Sequence, residues 1–377
     1  MKNCVKFLRR VDLQYKQCKR CLMDTTAKNI TFDVNGNCNF CSDFLFTIEN
    51  GHTNLSAKLD SFIAQVKKDG KNKQYDCIVG VSGGVDSSYA LYLAKEYDLR
   101  VLAVHMDNGW NSELATNNIE SLISNLNVDL YTHVVDWSEY KQLMQAFFDA
   151  DVIDIELLYD NAMLAVNYNL AAKYGVKYIL SGSNSSTEGI AMPSNWNWFK
   201  FDKKNIKAIA KTQNVKIRTF PLIGTLNYLY FRLFKGIKWI PFLDYFDYQK
   251  KEAENFLVKN YQYKKYPYKH YESIFTRFYQ GYLLPKKFGI DKRKLHLSSL
   301  IISGQLTREE GQKKLEEIPY NSQIEMEEDK TYFLKKMGWS NKQLDEYLLR
   351  EENSHKEYGT EKSFWDFSLN FYQKYIK

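Results

Sequence analysis

Long hydrophobic runs are missing from this sequence. The most apolar stretch, NYLYFRLFKGIKWIPFLDYF at 227–246, is interrupted by three basic residues, a proline and an aspartate. It therefore falls short of the roughly 20 apolar residues that a membrane-spanning helix needs. No apolar segment follows the basic start of the chain, which argues against a secretion signal. We expect no transmembrane span and a cytoplasmic location.

Cysteine is scarce, and all but one of the cysteines lie in the first 41 residues. The six are Cys4, Cys18, Cys21, Cys38, Cys41 and Cys77. Two Cys-x2-Cys pairs separated by sixteen residues have the spacing of a zinc ribbon rather than of a disulfide framework. Four thiolates leave no open coordination position, so we predict a structural zinc ion in residues 1–55. An iron–sulfur cluster, which also uses four cysteines, is the alternative.

Size and composition indicate a folded protein of two or three domains. The chain has 377 residues, of which 44% are hydrophobic and 15% aromatic, enough for a packed core. The formal net charge is +7. A basic balance suits an anionic ligand, a nucleic acid or an anionic membrane surface as a partner.

Strand and helix patterns alternate between about residues 74 and 225. The apolar segments YDCIVGV, LRVLAVHM, DLYTHVVD and VKYILSG have the composition of buried strands, and helices are predicted at 87–97, 112–126, 138–149 and 157–174. This order predicts an α/β domain over 56–225, with a parallel sheet and helices on both faces. Aromatic and basic helical segments follow, so residues 226–377 are predicted to form a helical domain. Helix starts are predicted at the capping box Thr307–Glu310 and at Ser340.

The segment IVGVSGGVDSSYALYLAKE at 78–96 places a glycine-rich loop between a buried strand and a helix. Glycines let a backbone approach an anion, and the first amides of a helix point at it. The lysine of a Walker loop and the G-x-G-x-x-G dinucleotide pattern are both absent. A Gly-Gly turn capped by Ser82 or Asp86 is the structural alternative.

The remaining Ser-Gly-Gly-x-Asp-Ser pattern resembles the PP-loop pyrophosphatases, which split ATP between its α- and β-phosphates to adenylate a substrate oxygen. The resemblance implies that the loop binds pyrophosphate and that Asp86 helps to hold magnesium. A second loop, SGSNSSTEGI, follows a later strand at the same edge of the sheet, and adenine is expected beside the strand after the PP-loop. The predicted nucleotide-binding residues are Ser82, Gly83, Gly84, Asp86, Ser87, Val104, His105, Met106, Gly182, Asn184, Thr187 and Glu188.

The number and positions of the cysteines distinguish between the reactions that enzymes with this fold catalyse. Sulfur transfer needs a persulfide carrier or a cluster in the catalytic domain, and only Cys77 lies there, inside a predicted strand. A glutaminase domain would need an activated thiolate nucleophile, and we find none, so ammonia is expected from a partner.

Taken as a whole, the chain resembles the N-acetyl sugar amidotransferases of bacterial surface-glycan biosynthesis, which act on sugars of the pseudaminic acid, lipopolysaccharide O-antigen and flagellin glycan type. The resemblance rests on CKRCLMDTT, CNFC, GVSGGVDSSY, VHMDNGWNSELA, SGSNSSTEGI and the segment from KHYESIFTRF to TREEG. It implies conversion of an N-acetyl group to an acetamidino group, with ATP, magnesium and structural zinc as cofactors. Glutaminase and cyclase-like subunits would supply the ammonia.

The segment KHYESIFTRFYQGYLLPKKFGIDKRKLH contains the residues that we expect to bind the substrate. Asp86, Ser87, Glu272 and His270 are the predicted catalytic residues, and Glu272 or His270 could take a proton from attacking ammonia. Arg277, Lys292, Arg293 and His296 would suit a phosphate or carboxylate of the sugar. A solvated basic helix with packed tyrosines is the alternative for each of them.

Two other functions stay open at this stage. Lys203, Lys204, Lys207 and Lys211 follow the aromatic stretch NWNWFKFD and could form an RNA-binding face, as in a tRNA-modifying PP-loop enzyme. A non-catalytic ATP-binding regulator is the third reading. We favour the sugar enzyme and do not expect nucleic acid as a partner.

Overall fold

One parallel sheet organises the central part of the chain. The computed structural model describes residues 15–51, 56–266 and 271–375. The strands are β1 Cys77–Gly80, β2 Val101–Asp107, β3 Asp129–Val134, β4 Tyr178–Ser181 and β5 Lys238–Pro241. Their order is β3-β2-β1-β4-β5, and every neighbouring pair is parallel. The chain reverses its direction of winding at β1, and ligands of open parallel sheets bind at the carboxyl ends of the strands at such a point.

Helices surround the sheet and build the rest of the chain. They are α1 Asn39–Gly51, α2 Leu59–Gly70, α3 Val85–Glu96, α4 Glu113–Leu126, α5 Trp137–Asp149, α6 Leu157–Tyr174, α7 Ser185–Glu188, α8 Lys203–Thr212, α9 Thr225–Leu229, α10 Lys250–Tyr261, α11 Ile274–Phe278, α12 Arg293–Ile302, α13 Arg308–Glu316, α14 Gln323–Met337, α15 Asn341–Leu349 and α16 Lys362–Tyr375. The helices α9 and α11 continue as π-helical turns, Tyr230–Phe234 and Tyr279–Phe288. None of the helices in the described ranges is long and apolar enough to cross a bilayer.

The two faces of the sheet pack into two separate cores, as the alternation of a strand requires. In β1, Ile78 joins the core that contains α5 and α6, while Cys77 and Val79 join the core that contains α2, α3 and α10. The α/β prediction is therefore confirmed, with helices on both faces. The four predicted strands and the helices between them are present, and so are the capping boxes at Thr307 and Ser340. The segment 129–134, expected to be a buried strand, is instead an edge strand in which no residue is buried.

The fifth strand corrects the sequence analysis, which assigned everything after residue 225 to a helical domain. Residues 238–241 instead pair with β4 at the edge of the sheet. The strand begins with Lys238 and ends with Pro241, and its central Trp239 and Ile240 are only half-buried. An edge strand tolerates proline and polar residues, so neither alternation nor a continuous apolar run marked this segment.

Candidate active site

The glycine-rich loop connects the end of β1 to the start of α3 in a shape that needs glycine. Gly83 has φ +84°, and a Cβ there would lie 2.7 Å from the carbonyl oxygen of Ala115. Gly84 is the N-cap residue of α3, and a Cβ there would lie 2.2 Å from Oε1 of Glu272. The loop thus carries no side chain of its own at Gly83 or Gly84, as at helix N-termini that bind phosphate, and the Glu272 carboxylate lies beside Gly84.

Contacts from distant parts of the chain hold this loop in place. The hydroxyls of Tyr263 and Tyr266 each donate to the Gly83 carbonyl oxygen at 3.1 Å. Burial raises the pKa of both tyrosines, so they stay protonated donors at neutral pH. On the other side the second loop packs on the first, because a Cβ on Gly182 would lie only 2.5 Å from the amide nitrogen of Ser87.

A cavity of about 290 Å³ opens at the carboxyl ends of β1, β2 and β4. Its polar end is the loop itself, with Ser82, Gly84, Asp86 and Ser87. The remaining lining combines apolar and polar side chains and includes Val81, Val104, Met106, Asn108, Asn111, Tyr159, Met163, Asn167, Gly182, Ser183, Glu188, Trp239, Glu272, Ser273 and Thr276. A phosphate-binding loop in a cavity that also offers apolar side chains and a few polar groups suits a nucleoside triphosphate.

Asp86 lies in the first turn of α3 and lines this cavity. Its Oδ1 accepts a hydrogen bond from the Tyr248 hydroxyl. Burial and the Asp86 carboxylate raise the pKa of Tyr248, so the tyrosine stays a protonated donor to this carboxylate. A carboxylate beside a phosphate loop is a ligand that Mg²⁺ prefers, together with phosphate oxygens.

A second cavity of about 370 Å³ adjoins the first. Asp86 and Glu272 line both cavities. Apart from Val85, the rest of the second lining comes from the segment after residue 249 and includes Lys250, Glu254, Tyr271, Arg277, Gln280, Lys292, Arg293, His296 and Lys314. The four predicted substrate-binding residues are therefore brought together in one cavity.

Three of these four residues are cations that are ion-paired within the protein. Arg277 binds the Asp329 carboxylate through two nitrogens at 2.5 and 2.6 Å. Lys292 pairs with the buried Glu156 at 3.0 Å. Arg293 pairs with Asp291 and also donates to carbonyl oxygens at the end of α13. These ion pairs hold the side chains of Arg277, Lys292 and Arg293 in fixed positions. A ligand in the second cavity would contact them there.

Some predicted nucleotide-binding residues lie behind the cavity rather than on its surface. In β2 the side chains of Val104 and Met106 line the cavity, whereas the His105 ring is tied by Nδ1 to the Val81 carbonyl oxygen at 2.9 Å and by Nε2 to Asn111. Burial lowers the pKa of His105, so it is a neutral residue that orders the strand end. Gly83, Asn184 and Thr187 shape the two loops without lining the cavity, and Asn184 caps α7. His270 lies outside the described residues.

Sequence reasoning missed Asn167, an α6 residue that lines the first cavity and is only 1% exposed. Its Nδ2 donates to the Met163 carbonyl oxygen at 2.9 Å. Because that carbonyl can only accept, the amide orientation is fixed. Its Oδ1 has no hydrogen-bond partner among the described residues. This buried atom is 3.6 Å from where a Cβ on Gly80 would be, so glycine at position 80 leaves it without a side-chain neighbour there.

The four cysteines Cys18, Cys21, Cys38 and Cys41 form a buried cluster whose sulfurs all lie within 4.8 Å of one another. The Cys18–Cys41 and Cys21–Cys38 sulfur pairs are 3.7 and 3.6 Å apart. A zinc ion with tetrahedral Zn–S bonds needs sulfurs about 3.8 Å apart. The donor set and its geometry therefore fit a zinc ion with no open position.

The cysteine unit packs against the C-terminal part of the chain. The Leu22 amide donates to the Ser298 hydroxyl at 2.9 Å, and Lys294 forms an ion pair with the buried Asp24. Arg308 donates to the Cys18 carbonyl oxygen. Since α12 also lines the second cavity, the cysteine unit supports one of its walls.

Two family models match this chain, one over the sheet domain and one over the C-terminal part. Residues 55–220 match the family model described as NAD synthase, and residues 272–373 match the model described as LPS biosynthesis protein WbpG-like, C-terminal domain. No curated protein matches the chain at a significant level.

Solved structures that resemble the chain include an NMN synthetase from Francisella tularensis, at 16% identity and TM-score 0.30, over 58% of this chain and 98% of that one. An NH3-dependent NAD synthetase from Campylobacter jejuni, in complex with nitrate, has 17% identity and TM-score 0.29, over 55% and 83% of the two chains.

The two family matches identify an ATP-using enzyme of the amidating or ligase type. They fall on the sheet domain that carries the PP-loop and on the helices that line the second cavity. The chain thus combines an NAD synthase-like PP-loop domain with a WbpG-like C-terminal domain, as expected of a WbpG-type PP-loop amidotransferase.

Proposed function

We propose that this protein is an ATP-dependent amidotransferase that converts the N-acetyl group of a bacterial surface-glycan sugar to an acetamidino group. The observation that supports this most directly is the junction of the two cavities at Asp86 and Glu272. ATP bound with its phosphates on the PP-loop would have its α-phosphate near this junction. A sugar in the second cavity could then present its amide oxygen to that phosphorus.

The proposed chemistry makes a poor electrophile reactive. The amide oxygen of the N-acetyl group attacks the α-phosphorus, the bond to the β-phosphate oxygen breaks, and pyrophosphate leaves. Ammonia then adds to the activated imidate carbon, the carbon–oxygen bond breaks, and AMP leaves with that oxygen. The nitrogen loses a proton, and the product is the acetamidino sugar, AMP and pyrophosphate.

The residues of the junction have separable roles in this scheme. The amides of α3 with the hydroxyls of Ser82 and Ser87 bind the departing pyrophosphate. Asp86 would hold magnesium, which neutralises phosphate charge when bound. Glu272, whose carboxylate lies against Gly84, would accept the proton from attacking ammonia.

The narrower parts of this proposal concern the partners and the substrate. Ammonia would come from a glutaminase with a cyclase-like subunit, because the sequence offers no glutaminase nucleophile. The substrate would be a nonulosonic acid or a nucleotide-linked acetamido sugar, and the reaction would take place in the cytoplasm. Arg277, Lys292 and Arg293 of the second cavity would bind a carboxylate or phosphate of such a sugar.

The first test is to measure AMP and pyrophosphate release with ATP, magnesium and an ammonium salt. N-acetylated nonulosonic acids, nucleotide-linked N-acetyl sugars and total tRNA are offered separately. We expect AMP formation only with one of the sugars. AMP formation that depends on tRNA would favour the tRNA-modifying alternative, and ATP binding without turnover on any substrate would favour a regulator.

Asn167 leads to a prediction about which nucleotide base the first cavity binds. Its fixed, unpartnered Oδ1 would accept a hydrogen bond from the exocyclic amine of adenine, whereas the carbonyl of hypoxanthine would face it with a second acceptor. We expect the wild type to bind ATP about tenfold or more tightly than ITP. Asn167→Leu should weaken ATP binding by about tenfold and remove most of the preference.

Calorimetry with ATP, ITP and 2′-deoxy-ATP checks this without any sugar. Met163→Leu, one helical turn away in the same cavity, is the matched control and should leave the ATP-to-ITP ratio unchanged. If Asn167→Leu weakens ATP but not 2′-deoxy-ATP, the residue binds the ribose instead and base selection is refuted. If no nucleotide binds at all, the proposed function itself fails.

A further inference from the structure

Residues 203–243 form an uninterrupted basic segment, which we call the basic surface segment. It contains seven lysines and two arginines and no aspartate or glutamate. Lys204, Lys207, Lys211, Lys216, Arg218, Lys235 and Lys238 are exposed. Neither the PP-loop cavity nor the second cavity is lined by these cations. The proposed reaction therefore gives them no role.

The same segment carries an exposed apolar ridge. Leu226, Tyr230, Leu233 and Phe234 are 70%, 47%, 53% and 80% exposed. They occupy α9 and the π-helical turn that continues it, at the i, i+4, i+7 and i+8 spacing that places side chains on one helical face. Large apolar side chains clustered at one place on a surface mark a contact site.

The C-terminal helix lies beside the ridge. Trp365 of α16 packs on Tyr228 of α9, with ring centroids 5.1 Å apart. Phe364 and Phe367 of the same helix are exposed. Exposed apolar side chains are therefore present both on the ridge and on the neighbouring helix α16.

Carboxylates beside this segment are engaged within the protein, and Glu139 accepts hydrogen bonds from the amides of Arg218, Thr219 and Phe220. Glu361 accepts hydrogen bonds from the amides of Lys204 and Thr225. Asp202 caps α8 and accepts from Thr360, and Asp366 pairs with Lys362. The seven exposed cations of the basic surface segment thus face solvent.

We propose that the basic surface segment and its apolar ridge bind the protein to a membrane surface that contains anionic lipid. Apolar side chains that enter the headgroup region, together with lysines that face anionic headgroups, are what interfacial helices use. No membrane-spanning helix is needed for this peripheral binding. Charge complementarity selects this partner, because the seven exposed cations of the segment favour a surface rich in negative charge.

Two other partners, RNA and a second copy of the chain, fit this surface less well. RNA-binding faces place aromatic rings for stacking on bases, whereas this ridge protrudes through aliphatic Leu226 and Leu233 as well as Phe234. A second copy of the chain could cover the ridge in a two-fold interface, but a self-complementary contact would bring the two basic segments against each other. Like charges at such an interface repel.

The test is sedimentation of the full chain with phosphatidylcholine vesicles, with and without phosphatidylglycerol. We expect binding only when phosphatidylglycerol is present, and weaker binding as salt increases. Leu233→Ser with Phe234→Ser should weaken binding by about tenfold or more. Lys207→Glu with Lys211→Glu should weaken it by about tenfold or more.

The matched controls carry equivalent changes on other helices. Ile324→Ser with Leu349→Ser removes side chains that are 72% and 83% exposed, and Lys313→Glu with Lys342→Glu reverses two other exposed lysines. Both controls should bind vesicles as the wild type does, and thermal unfolding should be unchanged in all four double variants.

Three results would overturn the membrane proposal. The first is no sedimentation with anionic vesicles, or equal loss in the control variants. The second is a wild-type dimer that the ridge variants dissociate, which would make the ridge an interface between copies. The third is binding of total tRNA that the lysine variants abolish while vesicles bind nothing. None of these results bears on sugar amidation.

Discussion

Replacing Asp86 by asparagine is expected to reduce AMP and pyrophosphate formation by about a thousandfold or more. The amide keeps an oxygen that can accept the Tyr248 hydrogen bond, so the loop should keep its shape. The negative charge that would hold magnesium is lost, and metal assistance supplies several kcal/mol of the transition-state stabilisation in such reactions. Steady-state AMP release measures the effect.

The contrasting variant is Tyr248→Phe, which removes the hydrogen bond and keeps the carboxylate. Its activity should fall by about ten- to a hundredfold, since a hydrogen bond from a neutral donor to a charged group contributes roughly 1.5–3 kcal/mol. Zinc content and thermal unfolding should match the wild type in both variants. Wild-type turnover by Asp86→Asn would refute the magnesium role, and equal losses in both variants would indicate a structural role.

Removing the metal from the cysteine cluster is expected to have the largest effect on stability. Structural zinc sites contribute about 10–16 kcal/mol in small zinc-binding peptides, which is comparable to the stability of a whole domain. Cys38→Ser, or chelation of the wild type, should therefore unfold residues 15–51 locally. Because Ser298 and Lys294 contact this unit, the wall of the second cavity should loosen as well.

Metal analysis, calorimetry and limited proteolysis measure these effects. The wild type should contain one zinc equivalent and no iron, and Cys38→Ser should lose it, unfold at lower temperature and be cleaved within the cysteine unit. Cys77→Ala is the matched control, because Cys77 is buried in β1 and distant from the cluster. It should keep its zinc. A Cys38→Ser variant with full zinc content and unchanged unfolding would contradict the structural-zinc account.

The sequence predicted those features whose causes are local. Buried strands such as 101–107 form apolar runs, and the helices between them show a 3.6-residue period, so the sheet domain could be predicted nearly in full. The Cys-x2-Cys pairs and the Ser-Gly-Gly-x-Asp-Ser loop were recognisable because their chemistry fixes short spacings. The edge strand β5 has neither kind of signal.

Long-range contacts at the site could not be predicted in this way. The hydroxyl of Tyr263 reaches Gly83 across 180 residues, and Tyr248 reaches Asp86 across 162. No spacing rule links residues so far apart. Arg277 showed its charge in the sequence, but its pairing with Asp329 depends on how α11 packs against α14. Asn167 looked like any polar residue on a helix until its amide was placed in the cavity.

The measurement that tests the central claim most directly is mass spectrometry of the sugar after reaction with ATP, magnesium and isotopically labelled ammonium. Replacing the acetyl oxygen by NH should give a labelled product in an amount equal to the AMP and pyrophosphate formed. We expect this product from one N-acetylated sugar of the panel and none from Asp86→Asn. AMP formed while every sugar keeps its oxygen would contradict sugar amidation.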